Sequence, residues 1–243
     1  MKDEVGNMSL ELFKDIFKEY TPTSIKLNWR GEPLINKNLV KMVSYAKSKG
    51  VTDVSFNTNG LLVTKDILDG LVKAKLDWII FSIDASNKDT YEKIRVGGNW
   101  ETLIKNIILT WLTFLSHKDR PKIRIQLCPQ PLNEDEIDEW KGMFFLYADK
   151  LRVGRLFDPQ GKKGLKIEQP DSCTAPWQRL TISWKGDMYP CTSDFLCRVP
   201  LGNIKDTSIY EAWHSKYMRA IRYMLRYHSR KQFYLCENCT SYC

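Results

Sequence analysis

Apolar and polar positions follow two alternating periods over residues 9–154. Short apolar or period-two runs at Ser24–Asn28, Val51–Asn57, Trp78–Ile83 and Lys122–Leu127 predict strands, with a weaker fifth at Lys150–Val153. Between them, apolar residues recur at helical spacing over Asn36–Lys49, Thr64–Ala74, Trp100–Ser116 and Glu134–Ala148, with a short helical pattern at Asp89–Arg95. Asn36 is the expected N-cap of the first long helix, and Gly50 the residue just past its end. Residues 9–19 read as a helix ahead of the first visible strand, so a strand is expected to be missing upstream. Strand–helix repetition predicts an α/β fold with a parallel sheet, open or closed into a barrel. Pro159, Gly161 and Gly164 punctuate a polar stretch, which divides the chain into domains 1–157 and 158–243.

In parallel α/β folds the chemistry gathers at the C-terminal ends of the strands. Here the first strand runs into Trp29-Arg30-Gly31-Glu32-Pro33, the second into Asn57-Thr58-Asn59-Gly60, and the third into Ser82-Ile83-Asp84-Ala85. Each reads singly as a turn or a helix cap. Three in succession, brought to one rim by right-handed connections, predict a shared polar pocket. Glu32 suits a cation, Ser82 a carboxylate, and Asn59 and Asp84 hydroxyls. Arg95 offers a two-pronged partner for a carboxylate.

Six of the seven cysteines lie beyond residue 170. Cys236 and Cys239 form a Cys-x-x-Cys pair, whose thiolates on a tight turn grip one metal centre. Cys173 and Cys191 complete a four-thiolate set, and Gly186 suits a hairpin between Ile182 and Tyr189 that presents Cys191. Spacing alone leaves zinc and an iron–sulfur cluster both open. Cys128, at a strand end, reads as a small core residue.

Composition narrows the setting. With 43% apolar residues, the 243-residue chain can bury a full core. No apolar run approaches eighteen residues and the first residues carry charge, so neither a membrane span nor a signal peptide is expected. Cysteines without a secretory signal argue for reduced thiols and a cytoplasmic location. The net charge is +8, with a denser basic run from Arg219 to Lys231. That run reads as a solvated helix face; RNA binding is the rival reading, and nucleic acid is not the expected partner.

The order Gly31-Glu32-Pro33, Thr58-Asn59-Gly60, Ser82-Ile83-Asp84, then Tyr91-Glu-Lys-Ile-Arg95 resembles the core of the radical S-adenosylmethionine (radical SAM) enzymes, with Arg30 replacing the first of the usual two glycines before the glutamate. The cysteine order, with Pro176-Trp177, Asp194, Leu201-Gly202-Asn203-Ile204 and Glu211-Ala-Trp213, is similar to the SPASM and twitch domains that follow such barrels. The resemblance implies a partial (β/α)6 barrel lacking its first strand, followed by a small α+β domain of single-cluster twitch type. It further implies that Gly31, Glu32 and Pro33 face the amino group of S-adenosylmethionine, Ser82 and Arg95 its carboxylate, and Asn59 or Asp84 its ribose. Cys173, Cys191, Cys236 and Cys239 would hold an auxiliary [4Fe–4S] cluster, leaving Cys197 and Cys243 unassigned.

The implied activity is reductive cleavage of S-adenosylmethionine, hydrogen abstraction from a small-molecule or peptide substrate, and electron transfer to the auxiliary cluster. A donor such as flavodoxin or ferredoxin would supply the reducing electron. The family's Cys-x3-Cys-x2-Cys loop, which holds the catalytic cluster, is absent before Gly31, and Cys236-x2-Cys239-x3-Cys243 has the reverse spacing. The expectation is therefore a chain truncated just downstream of that loop. A degenerate, non-catalytic iron–sulfur or zinc protein is the alternative.

Overall fold

The computed structural model describes residues 5–154 and 173–227, together with 230, 233–237 and 239. Two compact units divide the chain: Thr21–Arg155, and Met1–Tyr20 with Leu156–Cys243.

In the second of these the first helix is α1 (Leu10–Asp15), shorter than its apolar pattern, capped where Ser9 Oγ accepts from Leu12 N–H.

The unit Thr21–Arg155 is a five-stranded parallel sheet built in chain order. It comprises β1 (Ser24–Lys26), α2 (Leu39–Ser48), β2 (Asp53–Thr58), α3 (Lys65–Lys73), β3 (Trp78–Ser82), α4 (Lys88–Ile94), α5 (Trp100–Leu115), β4 (Lys122–Leu127), α6 (Ile137–Phe144) and β5 (Lys150–Val153). Strand order equals sequence order. Right-handed crossovers between such neighbours place every helix on the same face, and α2 packs on α3 and α3 on α5. Alternation along the strands then sorts the residues. Val54 and Phe56, Ile79 and Phe81, and Ile123 and Ile125 are buried beneath the helices, each contributing about 1.5–3 kcal/mol by burial. Ser55, Asn57, Ser82, Arg124 and Gln126 occupy the opposite face.

The helix ends follow local chemistry. Gly50 takes φ +90°, and its N–H bonds Lys47 O while Val51 N–H bonds Ala46 O, a double closure that ends α2. Asn36 is not the N-cap: Asn38 holds that position, and Asn36 Oδ1 accepts from Asn38 N–H at 2.9 Å. The preceding 3₁₀ turn Pro33–Ile35 occupies the residues where an earlier helix start would lie. The helix expected over 134–148 is divided into a 3₁₀ turn Glu134–Glu136, α6, and a second 3₁₀ turn Phe145–Tyr147.

The other unit carries α7 (Ala175–Gln178), β6 (Thr181–Ile182), β7 (Met188–Tyr189), α8 (Ile209–Trp213) and α9 (Lys216–Tyr227). Strands β6 and β7 form the expected hairpin, and Gly186 turns it with φ +97°. The Leu201–Ile204 segment lies beside β7, with Met188 N–H bonding Gly202 O and Leu201 N–H bonding Met188 O. Helix α8 opens with a reciprocal cap between Ser208 and Glu211. Met188, Leu201, Ala212, Met218, Ile221 and Leu225 belong to its core, against which Cys173, Cys191 and Cys236 pack.

Candidate functional site

The ends of β1 and β2 are joined by one carboxylate. Gly31, at φ +72°, turns the chain after β1, and Glu32 swings back toward β2. Glu32 Oε1 accepts from Leu34 N–H at 3.1 Å and from Thr58 Oγ1 at 2.8 Å, and Oε2 accepts from Asn59 N–H at 2.7 Å. A carboxylate offers about four acceptor directions, so Oε2 retains one for a donor outside this set. Pro33, buried, starts the 3₁₀ turn that fixes Leu34 N–H in place. Asn59 Oδ1 accepts from Leu61 N–H, and Asn106 Nδ2, from α5, donates to Gly60 O at 2.8 Å.

At the end of β3, Asp84 is 6% exposed and holds three separate partners. Oδ1 accepts from Cys128 N–H at 2.9 Å, Oδ2 from Arg95 Nη2 at 2.5 Å, and its backbone carbonyl from Asn133 Nδ2 at 2.8 Å. Arg95 is thus drawn to Asp84. Ser82 Oγ accepts from Gln126 Nε2 of β4 at 3.1 Å. Register places Thr58 opposite Phe81, so the segments after β2 and β3 start side by side, and Glu32 ties the segment after β1 to the same rim.

A second carboxylate braces this rim. Glu136 accepts from Ser86 N–H at 2.8 Å, Ser86 Oγ at 3.0 Å and Asn87 Nδ2 at 2.9 Å. Burial pushes its carboxyl up, but hydrogen bonds from Thr90, Ser86 and Asn87 outweigh it and hold it below the usual glutamate range. Trp140, fully buried, donates from Nε1 to Ile83 O at 3.0 Å. The sequence assigns no role of their own to Thr58, Asn106, Asn133 and Glu136. Their signal is weak, because each acts through tertiary bonds 26 to 50 residues away in the chain.

In the other unit Cys173, Cys191, Cys236 and Cys239 line one pocket, closed by Ile221 and Leu225. Among the described residues, no three Cys, His, Asp or Glu side chains converge as a single-ion site requires; the thiols surround a space instead. Soft thiol donors in an apolar wall suit either an iron–sulfur cluster or a zinc ion. Burial pushes the Cys191 thiol up, a cost that cluster ligation would offset. Cys239 Sγ donates to Ser193 Oγ at 3.2 Å. Arg230, 2% exposed, also lines the pocket and donates to Cys236 O and, at 2.6 Å, to Cys239 O, steadying the Cys-x-x-Cys turn. Cys197 is not in that lining; it bonds the Tyr189 side chain, which burial holds in its neutral form. Cys243 lies outside the described residues.

The sequence pattern of the radical SAM superfamily matches residues 5–110, and that of the SPASM iron–sulfur cluster-binding domain matches residues 173–240. The chain carries a radical SAM domain and a SPASM domain. Members of the superfamily bind S-adenosylmethionine and a [4Fe–4S] cluster, and SPASM domains bind auxiliary iron–sulfur clusters. A probable GTP 3′,8-cyclase of Methanococcus maripaludis is 36% identical over 108 residues, covering 43% of this chain and 33% of that protein. The mycofactocin maturase MftC of Mycolicibacterium smegmatis is 27% identical over 160 residues, 65% of this chain and 39% of that one. The chain spans about a third of the length of these relatives. In fold it is similar to BtrN solved with AdoMet and 2-DOIA (TM-score 0.65, 20% identity, covering 98% of this chain and 82% of that one). It is similar likewise to anSMEcpe with bound AdoMet (TM-score 0.67, 14% identity, 89% and 75%). Among the described residues no helix is long and apolar enough to cross a membrane.

The basic run that begins at Arg219 is in part structural. Arg222 donates to Pro176 O and Trp213 O and stacks 4.4 Å above the Trp213 ring, and Arg230 is buried at the thiol pocket. Two of its arginines are therefore committed to internal contacts.

Proposed function

We propose that residues 21–154 bind S-adenosylmethionine along the β1–β3 rim, and that Cys173, Cys191, Cys236 and Cys239 hold an auxiliary [4Fe–4S] cluster serving a radical SAM oxidation. The observation that carries the reading is Glu32. Its carboxylate is fixed between two strand ends, and one acceptor direction on Oε2 is left for an ammonium group. Gly31 and Pro33 hold that carboxylate in place. Ser82 and Arg95 are assigned to the methionine carboxylate, and Asn59 or Asp84 to the ribose hydroxyls. Arg95 paired with Asp84 balances charge at the rim, so an incoming carboxylate meets a guanidinium already oriented.

S-adenosylmethionine, once reduced, supplies a carbon-centred radical that takes a hydrogen atom from the substrate. The chain's own part is to bind and orient the cofactor and to hold the auxiliary cluster in an apolar pocket. The substrate class is a small molecule or a peptide. The name of one relative gives GTP as what it cyclises, and a SuiB structure similar in fold contains a precursor peptide. Electrons from a carrier such as flavodoxin or ferredoxin, and a cytoplasmic setting that keeps the thiols reduced, belong to the same proposal.

A narrower reading has an observation of its own. Within these 243 residues the one cysteine before Cys173 is Cys128, so no Cys-x3-Cys-x2-Cys segment is present. The isolated chain is accordingly expected to bind S-adenosylmethionine without forming 5′-deoxyadenosine under strong reduction.

The test is equilibrium dialysis of labelled S-adenosylmethionine, with iron, sulfide and zinc assayed after anaerobic reconstitution. One bound S-adenosylmethionine and about four irons with matching sulfide per chain are the expected result. Failure to bind S-adenosylmethionine overturns the rim assignment, and about one zinc without sulfide overturns the auxiliary cluster.

A further inference from the structure

The helix-free face of the sheet carries cations that make no ion pair among the described residues. On β4, Lys122, Arg124 and the rim-ward Gln126 point to this face, and register places Arg124 opposite Lys150 and Gln126 opposite Arg152 on β5. Trp78 of β3 lies opposite Lys122, with the Arg124 guanidinium 4.7 Å and the Lys122 ammonium 5.4 Å from its ring centre. Among the described residues, the seven ion pairs include neither Arg124 nor Arg152.

Among the described residues, two buried side-chain atoms on this face have no hydrogen-bond partner: Arg124 Nε and Asn57 Oδ1. They belong to one row of the sheet, since Asn57 is in register with Ile80 and Ile80 with Arg124. Two strand spacings separate them, about 10 Å. The row therefore presents an unfilled acceptor at one end, an apolar floor at Ile80, and an unfilled cationic donor at the other. Leaving such buried groups unpaired is costly, and a ligand satisfying both would recover that cost.

We propose that this face binds the substrate through an oxyanion, a phosphoryl or carboxylate group gripped by Arg124 and Arg152, with a hydroxyl, amine or amide N–H of the same molecule donating to Asn57 Oδ1. Calling the ligand the substrate rests on the radical SAM reading; the anion site itself does not. Arg124 offers the planar fork that matches both oxyanions, and Trp78 fixes its plane. Arg152, exposed on the edge strand, is free to close on the second oxygen. Desolvation, and to a lesser degree the charge of Arg152, weakens Arg124's hold on its proton, with Asp53 opposing. An anion between the two arginines reverses that balance.

The test is isothermal titration calorimetry of inorganic pyrophosphate and, separately, of glutarate into the full chain, at two salt concentrations. Binding that weakens with salt is expected for at least one probe, and the tighter probe identifies the oxyanion. Arg124→Gln and Arg152→Gln should each weaken it tenfold or more, Arg124→Lys less, and Lys216→Gln on α9 not at all. Circular dichroism monitors folding, and Arg152→Gln, altering an exposed side chain, keeps the test open if the Arg124 variants misfold. No binding of either probe, or equal binding by wild type and Arg152→Gln, overturns the proposal. S-adenosylmethionine binding is measured on the same samples. Arginine-dependent anion binding without it sinks the S-adenosylmethionine rim assignment alone, and the converse sinks the anion site alone.

Discussion

Arg120 and Asp149 clamp the entrances of β4 and β5 with two parallel bonds, Nη1 to Oδ2 at 2.7 Å and Nη2 to Oδ1 at 2.6 Å. Asp149 Oδ2 also accepts from Ile123 N–H at 2.8 Å. Burial pushes the Asp149 carboxyl up, but Arg120 and the Ile123 N–H prevail and hold it below its ordinary 3.8. The stability this adds is complete above that ordinary value and is lost as pH falls below it, through the folded-state value. Asp149→Asn should therefore cost about 1–2 kcal/mol near neutral pH, discounted for a pair roughly a quarter exposed. It should also flatten the fall in stability below about pH 4. Urea titrations at a series of pH values check both. The clamp lies at the opposite end of the strands from the rim, so S-adenosylmethionine affinity should not change.

Glu32→Ala strands the Thr58 hydroxyl and the Asn59 and Leu34 N–H groups together. A stability loss of about 1–3 kcal/mol is expected, with S-adenosylmethionine affinity reduced at least tenfold. Glu32→Gln keeps an acceptor but not the charge, and should recover most of the stability and little of the affinity. Equal affinities for Glu32→Gln and wild type, measured by dialysis, would remove the ammonium-binding role.

Cys236→Ala should abolish the iron–sulfur chromophore after reconstitution, whereas Cys128→Ala and Cys197→Ala should keep it. The contrast follows from position: Cys236 lines the thiol pocket, and the other two do not. Iron and sulfide assays decide, and equal content in all three variants would reject the ligand set.

Arg230→Gln should retain the cluster but release it faster, because two carbonyls of the Cys-x-x-Cys turn lose their charged donor. Iron transfer to a chelator, followed by absorbance, should accelerate several-fold. An unchanged release rate would limit Arg230 to a packing role.

Gly60→Ala places a methyl carbon 2.8 Å from Leu103 Cδ1 and 2.9 Å from Phe81 Cδ1, at φ +81°. The left-handed backbone and the overpacking together predict a loss of about 2–4 kcal/mol. Thermal unfolding measures it directly.

The strands and long helices were legible because their periods are set locally: the pattern Lys-Ile-Arg-Ile-Gln-Leu is β4 residue for residue. The same alternation already put Arg124 and Gln126 on one face, though not which face the helices leave open. That depends on strand order, a property of the whole unit. Glu32 was legible from its neighbours Gly31 and Pro33, but its grip on Thr58 was not, since nothing in a Thr-Asn-Gly turn announces a carboxylate 26 residues earlier. The misplaced N-cap at Asn36 has a similar cause: asparagine caps helices and closes tight turns with the same side-chain oxygen, and here the turn prevails.

The sequential order of β1 to β5 also bears on how the molecule is made. Each strand bonds to the one that left the ribosome just before it, so the sheet can be completed pair by pair during synthesis. The thiol pocket cannot, because Cys173 waits for Cys236 and Cys239, which are made much later. A nascent chain stalled before Cys236 would carry all five paired strands and an incomplete set of thiols, so the proposed cluster ligands come together only after the sheet has left the ribosome.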